Sequence, residues 1–151
     1  MRLKHIRNWA VPMVLMAATA PVFAALGGDA ASVDADRVRM KATHRMIAGS
    51  TYSVQEIQTP AGTTIREYVS PAGKVFGVVW QGPQMPDLKQ LFGDYFGTYQ
   101  DAAKAQRTSR GALRVVQPDI VVHSGGHMRA FFGRAYVPQL VPTGVSIDDI
   151  K

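Results

Sequence analysis

The chain has 151 residues, of which 17 are basic and 11 are acidic, and its formal net charge is +6. This length fits one globular domain and excludes a multi-domain enzyme or a long solenoid. Because the sequence contains no cysteine, it also excludes disulfide frameworks, thiolate metal sites and cysteine nucleophiles.

The first 24 residues have the three parts of a secretory signal peptide. Three basic residues lie among the first seven, an apolar stretch covers residues 10–20, and Val22-Phe23-Ala24 offers small residues for cleavage after Ala24. The apolar stretch is too short to cross a hydrocarbon core, which needs about 20 residues. We therefore predict export to the periplasm or out of the cell, with no stable membrane span after cleavage.

Loss of this leader changes the charge of the protein. Three basic residues leave with it, so the mature chain has 14 basic and 11 acidic residues and a net charge of +3. A mildly basic exported domain is not expected to bind nucleic acid.

Residues 25–50 are predicted to be an N-terminal extension. Within it, Ser32–Ala48 has its acidic residues first and its basic residues last, and Gly49 follows, as in a helix with a glycine cap. We expect a helix here, although the apolar residues do not keep a clean helical period.

Residues 51–151 are predicted to form a single domain that begins with a three-stranded meander. Two near-copies of one turn, Thr59-Pro60-Ala61-Gly62 and Ser70-Pro71-Ala72-Gly73, separate β-rich runs. These runs are Tyr52–Gln58, Thr63–Val69 and Lys74–Trp80.

The turns predict the pairing of the three strands. Pairing Thr59 with Thr63 places Glu56 opposite Arg66, Ile57 opposite Ile65 and Val54 opposite Tyr68. Pairing Ser70 with Lys74 places Val69 opposite Val75, Tyr68 opposite Phe76 and Ile65 opposite Val79. One face of the sheet is then aliphatic, and the other carries Tyr68, Phe76 and Trp80 beside the Glu56–Arg66 pair.

A helix is predicted from Pro86-Asp87 onward, because seven apolar residues between Leu88 and Ala102 follow helical spacing. Gly93 and Gly97 lie away from this stripe, which favours a bend near Gly97 or a close approach by another surface. Further strands are expected at Leu113–Val116 and Asp119–His123. A turn at Ser124-Gly125-Gly126 would then lead into His127–Val137.

The expected fold class is α+β: an antiparallel sheet of the three-stranded meander plus a C-terminal hairpin, packed by one main amphipathic helix. The element order is (α)-β-β-β-α-β-β.

Several short motifs together resemble a family of exported bacterial proteins, the domain of unknown function 2844. They include Gly73-Lys74-Val75-Phe76-Gly77, Trp80-Gln81-Gly82-Pro83, Pro86-Asp87-Leu88 and Ser124-Gly125-Gly126-His127-Met128. The resemblance covers the chain from about Tyr52 to its end. It implies an exported protein of Gram-negative bacteria and no assigned activity or catalytic residues.

Catalytic and metal sites have weak support in the sequence. His123 and His127 are candidate metal ligands if a three-residue turn pairs them, but a third ligand must come from elsewhere. Ser124 with His127 and Asp119 lacks the strand-turn-helix motif of hydrolases, and Glu56 and Glu67 are expected on opposite faces of the sheet. We predict no cofactor.

A binding role has better support. If Tyr68, Phe76 and Trp80 are exposed, they form a platform with Arg66 at its centre, suited to an envelope protein, a glycan or a lipid. Burial in the core is the alternative, and we expect it for Trp80. The sequence thus favours a non-catalytic binding or assembly module of the cell envelope. A small periplasmic hydrolase or a metal-binding protein that uses the His123/His127 hairpin is the alternative, and the oligomeric state stays open.

Overall fold

The structure is a computed structural model, and it describes residues 25–30, 43–106 and 112–151. Its centre is one seven-stranded sheet in which all neighbouring strands are antiparallel. In chain order the strands are β1 Thr43–Ala48, β2 Ser53–Gln58, β3 Thr64–Val69, β4 Val75–Gly82, β5 Leu113–Val116, β6 Val121–His127 and β7 Ala130–Tyr136. Across the sheet their order is β1-β2-β3-β4-β7-β6-β5, so the β4–β7 pair joins the two halves.

The predicted fold class is wrong. The described residues form mostly one antiparallel sheet with a single helical segment, instead of a three-stranded meander and a separate hairpin. Within the predicted helix at Ser32–Ala48, the part Thr43–Ala48 is strand β1, and residues 32–42 lie outside the described residues. Residues 43–48 form a strand because they pair with β2, and this pairing adds side-chain contacts between the strands, such as the one between His44 Nε2 and Gln55 Oε1 at 2.9 Å. The sheet therefore extends into the predicted N-terminal extension.

The hairpin of β2 and β3 has the predicted register. The Thr59 N–H donates to the Thr63 carbonyl at 2.9 Å, and Gly62 closes the turn with a φ of 86°. All three predicted pairs are present, including Glu56 opposite Arg66. Local turn chemistry was sufficient to fix this hairpin.

The hairpin of β3 and β4 departs from the predicted register after its first pair. Val69 lies opposite Val75 as predicted, but Tyr68 lies opposite Gly77, so Phe76 is an extra residue on β4. This is a β-bulge, and every pair beyond it is shifted by one residue. The predicted pairing of Tyr68 with Phe76 is therefore wrong.

The bulge exchanges the faces of the rest of β4. Val78 and Trp80 point to the side of the sheet that carries the helix, whereas Val79 points to the opposite side. We call these two sides the helix face and the tail face. Phe76 lies on the same face as Tyr68, as predicted, but the predicted division into one aliphatic and one aromatic face is wrong for the residues of β4 that follow it.

The helix face is covered by helices α1 Leu88–Phe92 and α2 Phe96–Ala105, which a 3-10 turn at Gly93–Tyr95 connects. The predicted helix is present, but its break lies at Gly93 and not near Gly97. Gly93 has a φ of 51°, and a Cβ there would overlap the Ala25 side chain. A close approach by another segment therefore explains this glycine.

The C-terminal hairpin turns later in the chain than predicted, since the strand that was expected to end at His123 ends at His127. Strand β6 continues through Gly125-Gly126 to His127, which pairs with Ala130. The turn itself is Met128-Arg129, with Arg129 at a φ of 68°. Strand β7 lies beside β4, and the 47 residues from Pro83 to Arg129 separate the two strands in the chain, so no local pattern predicted their pairing.

The tail face is partly covered by residues 138–151, which we call the tail. It includes 3-10 turns at Pro138–Leu140 and Ile147–Asp149. Ile150 is fully buried against Tyr68 and Phe76, and the Tyr68 hydroxyl donates to the Lys151 carbonyl at 2.8 Å. The tail thus covers one end of this face and leaves the other end open.

The segment 25–30 packs at the edge of the helix layer. Leu26 is buried, and its N–H donates to the Leu91 carbonyl at 3.0 Å. The Gly27 N–H donates to the Val75 carbonyl at 2.8 Å, and Asp29 forms an ion pair with Lys74. This short segment is therefore part of the folded domain.

Candidate functional site

The four residues predicted to form a binding platform do not lie on one exposed surface. Tyr68 and Phe76 are 3% and 0% exposed beneath the tail, and Trp80 is 0% exposed on the helix face. The expected burial of Trp80 is confirmed. Arg66 alone remains accessible, with 39% of its side chain exposed, and its Nε donates to Glu56 Oε2 at 2.8 Å.

The two candidate metal ligands are not brought together. His123 pairs with Arg134 and His127 with Ala130, so both histidines lie on β6, four residues apart along an extended strand. That separation is about 13 Å between backbones. Among residues 25–30, 43–106 and 112–151 there is no group of three or more metal-ligating side chains. The predicted turn that would have paired the histidines does not exist.

The candidate acids also lie apart. Glu56 is on the tail face with Arg66, whereas Glu67 is buried, 1% exposed, and is the neighbour of Arg66 that points to the opposite face. Asp119 accepts a hydrogen bond from the Thr98 hydroxyl at 3.2 Å. No pair of these carboxylates faces a common substrate position.

A row of mainly charged residues, which also includes Val79 and His123, instead crosses the open part of the tail face. Each member is the direct cross-strand partner of the next, and the row reaches every strand of the sheet. In spatial order from β1 to β5 the members are Arg45, Glu56, Arg66, Val79, Arg134, His123 and Arg114. We call this set the arginine row. Its arginines occupy the first, third, fifth and seventh strands.

The two halves of the arginine row differ in charge balance. In the first half, Glu56 accepts from Arg66 at 2.8 Å and from Arg45 at 3.4 Å, so one carboxylate faces two guanidinium groups. In the second half, neither Arg134 nor Arg114 forms an ion pair with any described residue. The second half therefore carries the larger uncompensated positive charge, and an anion would be attracted there most strongly.

A groove of about 320 Å3 lies at this second half. Its lining consists of Val79, Trp80, Gln81, His123, Phe132, Gly133, Arg134, Ile150 and Lys151. Two of these residues are cationic, and the Arg134 guanidinium is oriented by a 3.4 Å contact with the Ile147 carbonyl. The groove thus combines apolar walls with basic side chains, the usual make-up of a site for an organic anion.

Phe132 gives the groove an accessible aromatic wall. Its side chain is 53% exposed, and it lies opposite Gly125 of β6. Because Gly125 has no side chain, the ring rests over its backbone, and a Cβ there would be only 2.9 Å from the Phe132 Cζ. The absence of a side chain at Gly125 therefore allows the Phe132 ring to pack against the strand while it stays half exposed to solvent.

A second row, adjacent to the first, is neutral and polar. Gln58, Thr64, Gln81 and Phe132 are successive cross-strand partners on β2, β3, β4 and β7. Each lies two residues along its strand from a member of the arginine row, so the two rows share the tail face. We call it the polar row. It places amide and hydroxyl groups beside the guanidinium groups.

His123 lies between the two unpaired arginines. Burial lowers the pKa of its imidazole below the ordinary value, and the positive charges of Arg134 and Arg114 lower it further. Its Nε2 atom is shielded from solvent and has no hydrogen-bond partner among the described residues. Such a nitrogen is a candidate for a ligand contact, because buried polar atoms are rarely left unpaired.

The pH dependence of stability offers a test of this environment. The unfolded chain has a histidine pKa of about 6.5 and the folded protein a lower one, so between these values only the unfolded chain binds the proton. We expect the free energy of unfolding to fall as the pH is lowered below about 6.5, and His123→Gln to reduce this fall. Urea unfolding at several pH values measures it. His127→Gln, at an exposed position of the same strand, is the matched control; an equal effect of both variants would contradict the assignment.

The two rows were not predicted from the sequence, because each includes the pairing of β4 with β7, strands that lie far apart in the chain. Arg45 was predicted in a helix. Arg114 was predicted in the strand Leu113–Val116, but the position of that strand in the sheet was not predicted, so neither arginine was placed near Arg66. Gly125 was a usable signal, since a glycine inside a strand often marks a site where another group approaches closely. It was instead assigned to the turn.

A larger groove of about 630 Å3 runs along α2 from Pro86 to Leu113. Within the described ranges, no helix has the length and apolar character needed to span a membrane.

Comparison with known proteins identifies a family. The family model described as "Protein of unknown function (DUF2844)" matches residues 22–150 of the chain. Neither the curated proteins nor the solved structures include a match to this chain. The match covers most of the chain, including every strand of the sheet and both rows.

Proposed function

Since the chain belongs to the DUF2844 family, to which no function is assigned, we propose from its geometry that it is a non-catalytic binding module for an anionic ligand. The ligand would lie on the open part of the tail face, along the arginine row. The observation that carries this proposal is the row itself, four arginines and a histidine in direct register across seven strands, balanced by a single carboxylate.

The physical case rests on the cost of holding these charges together. The arginines lie on every second strand, about 9.5 Å apart between backbones, and like charges at that distance still repel one another where no carboxylate lies between them. Arg134 and Arg114 flank His123 without an opposing carboxylate among the described residues. An anion bound there would remove that repulsion and would also provide an acceptor for His123 Nε2 once the imidazole is protonated.

The test uses a polyanion without any sugar or lipid, inorganic polyphosphate, and measures its affinity by titration calorimetry. We expect the parent protein to bind it and the double variant Arg114→Gln/Arg134→Gln to bind at least about tenfold more weakly, because two charge-assisted contacts are lost. Lys89→Gln/Lys104→Gln removes the same charge from the helix layer and should bind like the parent. Equal losses in both double variants would reduce the effect to net charge and refute the proposed face.

We also propose that the protein is exported and acts in the cell envelope. The support is the signal-peptide pattern of residues 1–24 together with the position of Ala25, which packs on Gly93 directly after the predicted cleavage point. Removal of the leader would therefore leave all described contacts in place. Intact-mass measurement of the protein from the envelope fraction is expected to give a chain that begins at Ala25. A mass that retains residues 1–24 would contradict export by cleavage.

A further inference from the structure

The spacing of the arginine row identifies a class of ligand. Building on the proposed anion-binding function, we propose that the ligand is a linear acidic polysaccharide with one carboxylate on every second sugar, laid across the strands of the tail face. Successive carboxylates would meet Arg45, Arg66, Arg134 and Arg114 in turn.

The first argument is the interval between the arginines. They occur on every second strand of the order β1-β2-β3-β4-β7-β6-β5, and neighbouring strands are about 4.8 Å apart, so their backbones recur about every 9.5 Å. Along the axis of a nucleic-acid duplex, the phosphates of one strand recur about every 3.4 Å, a much denser array of charge. An extended disaccharide repeat has a length comparable with two strand spacings. The row therefore matches a polymer whose charges alternate with neutral units.

The second argument is the chemistry between the charges. The polar row provides Gln58, Thr64 and Gln81 beside the arginines, and these amides and hydroxyls can exchange hydrogen bonds with sugar hydroxyls. Phe132 ends this row with an exposed ring, on which the apolar face of a sugar can stack. A simple inorganic polyanion would need neither feature.

The third argument is shape. Neighbouring strands of a sheet are rotated by about 20–25° relative to each other, so the arginine row winds instead of forming a flat patch. A planar membrane surface could contact only part of such a row. A chain with rotatable glycosidic bonds can follow it from β1 to β5.

The linear arrangement predicts a dependence on ligand length. A fragment with one carboxylate can engage one arginine, and each added disaccharide makes the next contact intramolecular. We expect affinity to rise by about tenfold or more between a tetrasaccharide and an octasaccharide, and to level off once four carboxylates are present.

The experiment titrates the mature protein with hyaluronan fragments of two, four, six and eight sugars, which carry one to four carboxylates. Neutral dextran is the ligand control. Phe132→Ala is expected to weaken binding of the octasaccharide several-fold while leaving binding of inorganic polyphosphate unchanged. Lys104→Gln, on helix α2, is the matched protein control and should change neither. Melting temperatures establish that the variants are folded.

The outcomes separate this inference from the function on which it rests. Binding of polyphosphate without binding of hyaluronan, or without dependence on fragment length, would overturn the polysaccharide and leave the anion-binding face intact. Failure to bind either polymer would overturn both. Stronger binding to phosphatidylglycerol vesicles than to the octasaccharide would assign the row to a membrane surface and would also overturn the inference.

Discussion

Replacing Trp80 with alanine is expected to lower the free energy of unfolding by about 3–5 kcal/mol. The indole is fully buried between the sheet and the helices, and its ring centroid lies 5.9 Å from that of Phe92. Truncation removes this contact and leaves a cavity that neighbouring strands cannot close without breaking pairs. Since whole domains are stable by only about 5–15 kcal/mol, much of the protein would unfold.

Urea unfolding followed by circular dichroism measures this loss, because a variant of the proposed mature chain, residues 25–151, has no tryptophan. Trp80→Phe keeps a buried ring and should cost clearly less. Phe132→Ala removes a half-exposed ring on the opposite face and should change stability little. A Trp80→Ala variant that unfolds at the same urea concentration as the parent would contradict the burial on which the helix-face core depends.

The sequence was most informative where structure is determined locally. The turn that begins at Thr59 presets the β2–β3 register through proline geometry and a glycine with positive φ, and the pairs that followed are correct. Strand-to-helix transitions were also predictable, since Asp87 accepts hydrogen bonds from the first free N–H groups of α1 as expected of a cap.

The bulge at Phe76 is the point where local reasoning failed. Tyr68 opposite Phe76 looked favourable as an aromatic pair, so the simplest register was accepted. Gly77 was the contrary signal, because a glycine inside a strand often marks a bulge. A Cβ at Gly77 would lie 3.3 Å from Ile150 Cδ1, so this glycine also leaves room for the side chain of Ile150, which packs in one cluster with Tyr68 and Phe76. The extra residue Phe76 reverses the faces on which Val79 and Trp80 lie relative to the predicted register.

The candidate site could not be predicted because it depends on long-range pairing. The Val79–Arg134 neighbours are 55 residues apart, and the β4–β7 pair that joins them has no turn to announce it. Arg45 belongs to the row because Thr43–Ala48, which lacks helical periodicity, pairs as a strand with the edge of β2. The charged residues could be read from the sequence, but their alignment in one row could be recognised only from the order of the strands in the sheet.

Gly133 lies on β7, at the pair of strands β4 and β7 that joins the two halves of the sheet. Gly133→Ala is expected to lower the free energy of unfolding by about 1–3 kcal/mol. Gly133 is the cross-strand partner of Trp80, and a Cβ on it would overlap the indole, with Cη2 only 2.7 Å away. The ring cannot move aside, since Phe92 packs against it. Gly97→Ala is the matched control: among the described residues, no atom outside its chain neighbours and the backbone of its own helix lies within 4 Å of the added Cβ, and alanine should stabilise helix α2 by about 1 kcal/mol.

A double-mutant cycle distinguishes steric overlap from a general intolerance of β7. If the indole is the obstacle, Gly133→Ala should cost less in the Trp80→Phe background, because the smaller ring leaves room for the methyl group, with a coupling free energy of about 0.5–3 kcal/mol. Equal costs in both backgrounds would place the strain elsewhere in the strand. The result also bears on the groove, since Gly133 carries Phe132 and Arg134 on either side. A shift of β7 away from β4 would separate Arg134 from Arg66 and interrupt the arginine row at its centre.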